Sequence, residues 1–143
     1  MKFRIVCVMM VAAWAVGVSQ LSVRAEQGKS TNDGVFTEAQ AARGEAAYKA
    51  ECASCHGGDL GGDGFAPPLA GSDFAANWND LSVGDFFERI RISMPPNEPN
   101  KLTAQQKADV VAHILNQNKY PAGTTELEGK TDVLKGIKIE MKK

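Results

Sequence analysis

Cys52-Ala53-Ser54-Cys55-His56 is the stretch that organises this chain. Two cysteines three apart, followed at once by histidine, form the attachment pattern of a c-type haem. The spacing has a chemical reason. Each thiol adds across one of two neighbouring vinyl groups on the porphyrin edge, so the sulfurs must stand about one helical turn apart. The next residue is then directed beneath the iron, where a neutral imidazole is a strong nitrogen donor. Three other uses of the cysteines are weaker. A structural zinc wants a second ligand pair at short spacing, and outside the motif the sequence offers only the distant His113 and Cys7, the latter in the segment read below as a removed leader. A thioredoxin-type redox pair wants a strand before it, where the pattern here is helical. A disulfide between residues three apart is a poor staple. Cys52, Cys55 and His56 are therefore expected to hold one covalently bound haem c, with His56 an iron ligand.

The second axial donor is sought among Met94, Met141, His113 and the lysines. Met94 stands in Ile92-Ser93-Met94-Pro95-Pro96, where an apolar helix opens into a proline-rich loop. Such a loop can present a thioether without a helix colliding with the porphyrin face. Met141 lies among lysines in the tail. His113 has Ala112 and Ile114 beside it on an apolar face, and reads as a packing residue. Met94 is the expected second iron ligand.

The chain begins with an export address. Lys2 and Arg4 precede an uncharged run from Ile5 to Ser19, and Val23-Arg24-Ala25 places small residues around a cleavage point. A membrane span needs about 20 apolar residues, so residues 1–25 read as a cleaved signal peptide, with no stable span in the mature form. Three of the 16 basic residues and none of the 17 acidic ones lie there. The mature chain of 118 residues thus keeps 13 bases against 17 acids, a net charge of −4. No basic surplus advertises nucleic-acid binding, and no nucleic-acid partner is expected. The expected location is the periplasm or an equivalent exported space.

Residues 26–36 are polar and read as a flexible N-terminus. Thr37-Glu38-Ala39-Gln40 is a capping box and opens a helix over 38 to about 49. Residues 57–72 hold six glycines and two prolines and read as loop. Val83, Phe86, Phe87 and Ile90 mark one face of a helix starting after Ser82, which Met94-Pro95 ends. Thr103 to Gln106 is another capping box, and Val110, Val111, Ile114 and Leu115 stripe a helix running to about Asn118. Tyr120-Pro121-Ala122-Gly123 closes it. No segment alternates with period two. The expectation is an all-α fold of three or more helices with Gly/Pro-rich loops, its domain over 37–123 and a C-terminal tail over 124–143. The long loops leave space for a large apolar cofactor.

Gly44 and Tyr48 before the cysteine motif, Ala112-His113-Ile114-Leu115 in the last main helix, and Met94 together resemble the class I c-type cytochromes. The likeness runs from about Phe36 to Gly123. It implies the small cytochrome c fold. It also implies that Gly44 lets the last helix cross closely and that Tyr48 locks the crossing, with His113 standing where the family usually has an aromatic. Pro67 matches the proline whose carbonyl accepts a hydrogen bond from the proximal imidazole, and Leu69 would pack on the porphyrin. Pro67-Pro68-Leu69-Ala70-Gly71, Trp78, Ser93-Met94-Pro95-Pro96 and Asn118 to Gly123 are also similar to cytochromes associated with quinoprotein alcohol dehydrogenases. Trp78 and Arg91 each have two readings: a hydrogen bond to a haem propionate, or core packing for Trp78 and a solvated helix face for Arg91.

His/Met ligation fills both axial positions and raises the reduction potential. The expected function is a monomeric one-electron carrier, not an enzyme. Its expected partners are redox proteins: a quinoprotein-type dehydrogenase, an oxidase or another cytochrome. The rival is a haem enzyme or ligand sensor with an open sixth position, which requires that Met94 not ligate.

Overall fold

The computed structural model describes residues 29–141. The signal peptide expected over 1–25 lies outside them. Six helices carry the fold: α1 (Glu38–Glu51), α2 (Ala53–His56), α3 (Gly71–Trp78), α4 (Val83–Ser93), α5 (Ala104–Gln117) and α6 (Thr131–Leu134). Two-residue strands β1 (Lys29–Ser30) and β2 (Ile137–Lys138) pair in parallel, which the sequence did not announce. The architecture is otherwise the expected all-α one.

The three helices foreseen from capping and periodicity are present. Ser82 and Thr103 each open a helix with a reciprocal capping box, closed by Asp85 and Gln106. Thr37 caps α1, its hydroxyl accepting from Gln40 N at 3.0 Å. The Gln40 side chain does not complete a box. It is buried, donating to Asp109 Oδ1 at 3.0 Å and Leu127 O at 2.8 Å, and accepting from Leu127 N at 2.8 Å.

The helix α3 was not foreseen, because its cap is not local. Ala70, at the N-cap, offers no side-chain hydrogen bond. Instead Asn118, at the end of α5, accepts from Gly71 N at 3.0 Å and donates to Leu69 O at 2.9 Å. A cap supplied from 47 residues away leaves no signature beside the helix.

α1 and α5 form the central crossing. Gly44 meets α5 so closely that a Cβ on it would lie 1.8 Å from Asp109 O. One turn on, the Tyr48 and His113 rings lie 5.2 Å apart, tilted by 45°. Phe36, Val83, Phe87, Val111 and Leu115 complete the core beside them.

Both ends of the described chain depart from expectation. The described part of 26–36 is not loose: Thr31, Val35 and Phe36 are buried, and Phe36 O accepts from Gly123 N at 2.6 Å. The tail is a strap. Leu127 is held between Gln40 and Gln105, α6 seats Leu134 in the core against α4, and β2 returns to β1. Gly84 permits the α6 contact, since a Cβ there would lie 2.5 Å from Lys135 N. Leu127, Leu134 and Ile139 recur too irregularly for a helical or strand period, which is why the sequence read as a tail. Among the described residues no helix is long and apolar enough to cross a membrane.

Candidate functional site

The haem motif is built on a broken helix. α1 ends at Cys52, whose N–H still donates to Tyr48 O at 2.8 Å, and α2 restarts at Ala53. The break leaves Cys52 partly buried and Cys55 exposed, both as thiols without a disulfide. Burial, with the Glu51 carboxylate and Cys55 adding to it, pushes the Cys52 thiol up to about 11. A buried thiol raised in this way carries little thiolate near neutral pH. Among the described residues no three His, Cys, Asp or Glu side chains gather as a metal-binding group, so the zinc reading lacks its remaining ligands.

The loop after the motif is folded to reach His56. Gly62 N donates to His56 O at 2.8 Å, and Leu69 N to Leu60 O at 2.8 Å. Asp63 Oδ1 accepts from Phe65 N at 2.9 Å and Ala66 N at 2.7 Å, which holds its carboxyl below the ordinary range. That turn delivers Pro67, whose carbonyl lies 3.0 Å from His56 Nδ1. A carbonyl only accepts, so Nδ1 carries a proton, and in the neutral ring Nε2 is the nitrogen with the lone pair. An imidazole in this state is a ready metal ligand, and the carbonyl fixes the orientation of its ring.

His56 opens into a cavity of about 840 Å³, also lined by Cys52, Cys55 and Met94. Its walls are largely apolar, with Leu69, Phe86, Ile90, Leu102 and Ile114 among them. Pro67 and Trp78 line it too, the indole packing on Phe86 at a centroid distance of 4.6 Å. Small-molecule and cofactor sites of roughly 300–1,000 Å³ with few polar groups are the rule. Two thiols, a nitrogen donor and a thioether on one apolar cavity are the donor set that haem c requires, and the residues present fit it.

Other sequence candidates fall elsewhere. His113 does not line the cavity but packs in the α1–α5 crossing, where burial lowers its pKa. Met141 is 53% exposed on the strap. Arg91 also faces away, clasped by Glu88 at 2.7 and 2.6 Å, which favours its reading as a surface residue. Arg89 lines the cavity instead. The sequence held the signal: Arg89 follows Phe86 by three and adjoins Ile90, both of which face the same space.

Tyr48 ties the motif to the crossing. Its hydroxyl donates to Gly57 O at 2.7 Å, and burial pushes its pKa up to about 12.

No curated protein and no solved structure matches the chain at a significant level. A family model does match, over residues 39–114, more than half of the chain. Its span begins in α1 and ends in α5, enclosing both cysteines, the Pro67 loop and Met94. Its description is "Cytochrome C oxidase, cbb3-type, subunit III". The chain belongs to this family, and is a haem-binding electron-transfer cytochrome of the class I c type.

Proposed function

We propose that the protein is a one-electron carrier whose single haem c is attached through Cys52 and Cys55 and ligated by His56 and Met94. The observation that carries this reading is the shared cavity: Cys52, Cys55, Met94 and His56, whose Nδ1 is engaged by Pro67 O, all line one apolar space. When bound, the haem supplies a one-electron ferric/ferrous couple. The protein's own residues do the rest. Pro67 orients His56 and makes it a stronger donor. The thioether, a soft donor, favours the reduced state and so a higher potential. Leu69, Phe86, Ile90 and Ile114 exclude water, which lets both oxidation states exist with little rearrangement. Arg89 and Trp78 are the residues proposed to meet the propionates.

The export pattern over 1–25 supports a cleaved signal peptide and a periplasmic place, with the cytochrome domain proposed over 37–123. The proposed partners are a quinoprotein-type dehydrogenase as donor and an oxidase or another cytochrome as acceptor. The family's description, that of an oxidase subunit, supports an oxidase on the acceptor side. Redox encounters of this kind use small interfaces, and the fully exposed Phe65 at the cavity rim offers an apolar contact there.

Mass spectrometry of the protein isolated from an exporting host tests attachment and processing together. The expected mass is that of one haem added to a chain beginning at Glu26. Loss of the haem under mild acid and organic extraction contradicts thioether attachment.

A further inference from the structure

We propose that Lys107 is a positioning residue for Met94, its ammonium stapling the end of α4 to the far side of the proline loop that carries the thioether. The proposal rests on the reading of Met94 as an iron ligand.

Lys107 lies on the apolar face of α5, three and four residues before Val110 and Val111, and is only 2% exposed. Lysine is almost never fully buried, and a buried ammonium is tolerated only with hydrogen-bond acceptors around it. Its partners have a specific origin. In α4 the Arg91 carbonyl would accept from the N–H four residues on, but that residue is Pro95, which has none. Lys107 Nζ supplies the missing donor at 2.9 Å. The same Nζ donates to Pro99 O. Two carbonyls eight residues apart, on either side of Met94, Pro95 and Pro96, are thus held by one cation.

Other ties to this loop are weaker. Glu98 N donates to Pro95 O at 3.1 Å and Lys101 N to Glu98 O at 2.9 Å, both within the loop. Lys101 also pairs with Glu51 at 2.8 Å, but is 46% exposed, and such surface pairs contribute little. Among the described residues Lys107 supplies the loop's buried polar anchor to the helix beneath it, and without it the Arg91 carbonyl loses this partner. Burial pushes the Lys107 pKa down, yet both of its partners are acceptors that an ammonium serves with two of its three donors.

The test compares the haem-loaded wild type with Lys107→Met, which keeps length and apolar bulk but removes the donors. The sulfur-to-iron charge-transfer band of the oxidised protein and carbon monoxide binding by the reduced protein are measured. The expected result is a weakened band and about tenfold greater carbon monoxide affinity, the low end of what a hydrogen bond to a charged group is worth. Lys107→Arg, which keeps charge and donors, should restore part of the band. An unchanged band and affinity in Lys107→Met overturns the staple alone. A wild type without the band overturns the ligand assignment beneath it. If Lys107→Met yields no holoprotein, acetylation of the wild type and Met94→Ala decides. Coupling between ligand and staple is reciprocal, so Lys107 should resist acetic anhydride in the wild type while Lys49 and Lys130 react, and become about tenfold more reactive in Met94→Ala. Equal reactivity in the two proteins overturns the proposal.

Discussion

Gly44 and Arg89 illustrate two ways a single residue governs this molecule. At Gly44 the effect is steric. Any Cβ there enters the backbone of α5 at Asp109, and neither helix can yield without moving Tyr48 off His113. Gly44→Ala is expected to cost about 3 kcal/mol, the upper part of the usual range for overpacking, read from the urea midpoint of the holoprotein. At Arg89 the effect is electrostatic. A cation beside the cavity favours the reduced, less positive iron. Arg89→Gln should lower the reduction potential on the order of tens of millivolts, while Arg91→Gln, on the face turned toward Glu88, should change it much less. Protein-film voltammetry distinguishes them, and equal shifts would contradict the assignment of Arg89 to the cavity. Cys52, Cys55 and His56 stand out because their pattern is local, and Met94 because a proline-rich loop opens directly after it; the structure brings all four to the lining of one cavity. Arg89 and Lys107 were not read, although each keeps the helical phase of the apolar residues around it; a charge in an apolar stripe was the overlooked signal.

At the scale of elements, the helices that were legible are those capped by their own residues. α4 and α5 begin at Ser82 and Thr103 and bury a stripe of period 3.6. α3 was illegible because Asn118 caps it through space, and the strap was illegible because its anchors, Gln40 and Gln105, belong to other helices. The strap's hold on α4 has a titratable component. Glu88 accepts from Arg91 and from Thr131 Oγ1 at 2.7 Å, and these bonds hold its carboxyl down to about 2. A carboxylate depressed in the folded state adds stability above its unfolded pKa of about 4.3, and that contribution is lost as pH falls toward 2. The wild type should therefore be more stable than Glu88→Gln at pH 6, with the difference narrowing from about pH 4.3 to pH 2 in chemical denaturation. A difference constant across that window would show that the carboxylate charge contributes nothing to the strap.

At the scale of the whole described chain, a small helical core and loops rich in glycine and proline combine around one apolar cavity. The crossing of α1 and α5 fixes the motif end of the cavity through Tyr48 and Gly57. The end of α4 and the proline loop after it bring Met94, the proposed second ligand, to the same cavity, and the strap closes the far side of the core. Composition alone excluded little. The cavity explains why loops so long coexist with so compact a set of helices: the space they enclose has the size and lining of a cofactor site. The claim that decides between a carrier and a ligand-binding haem protein is that Met94 occupies the second axial position. The direct measurement is the near-infrared absorption spectrum of the oxidised holoprotein, recorded for wild type and Met94→Ala. The account predicts a weak sulfur-to-iron charge-transfer band in the wild type that is abolished in Met94→Ala, together with ready carbon monoxide binding by the reduced variant alone. A wild type that lacks the band and binds carbon monoxide readily would contradict it.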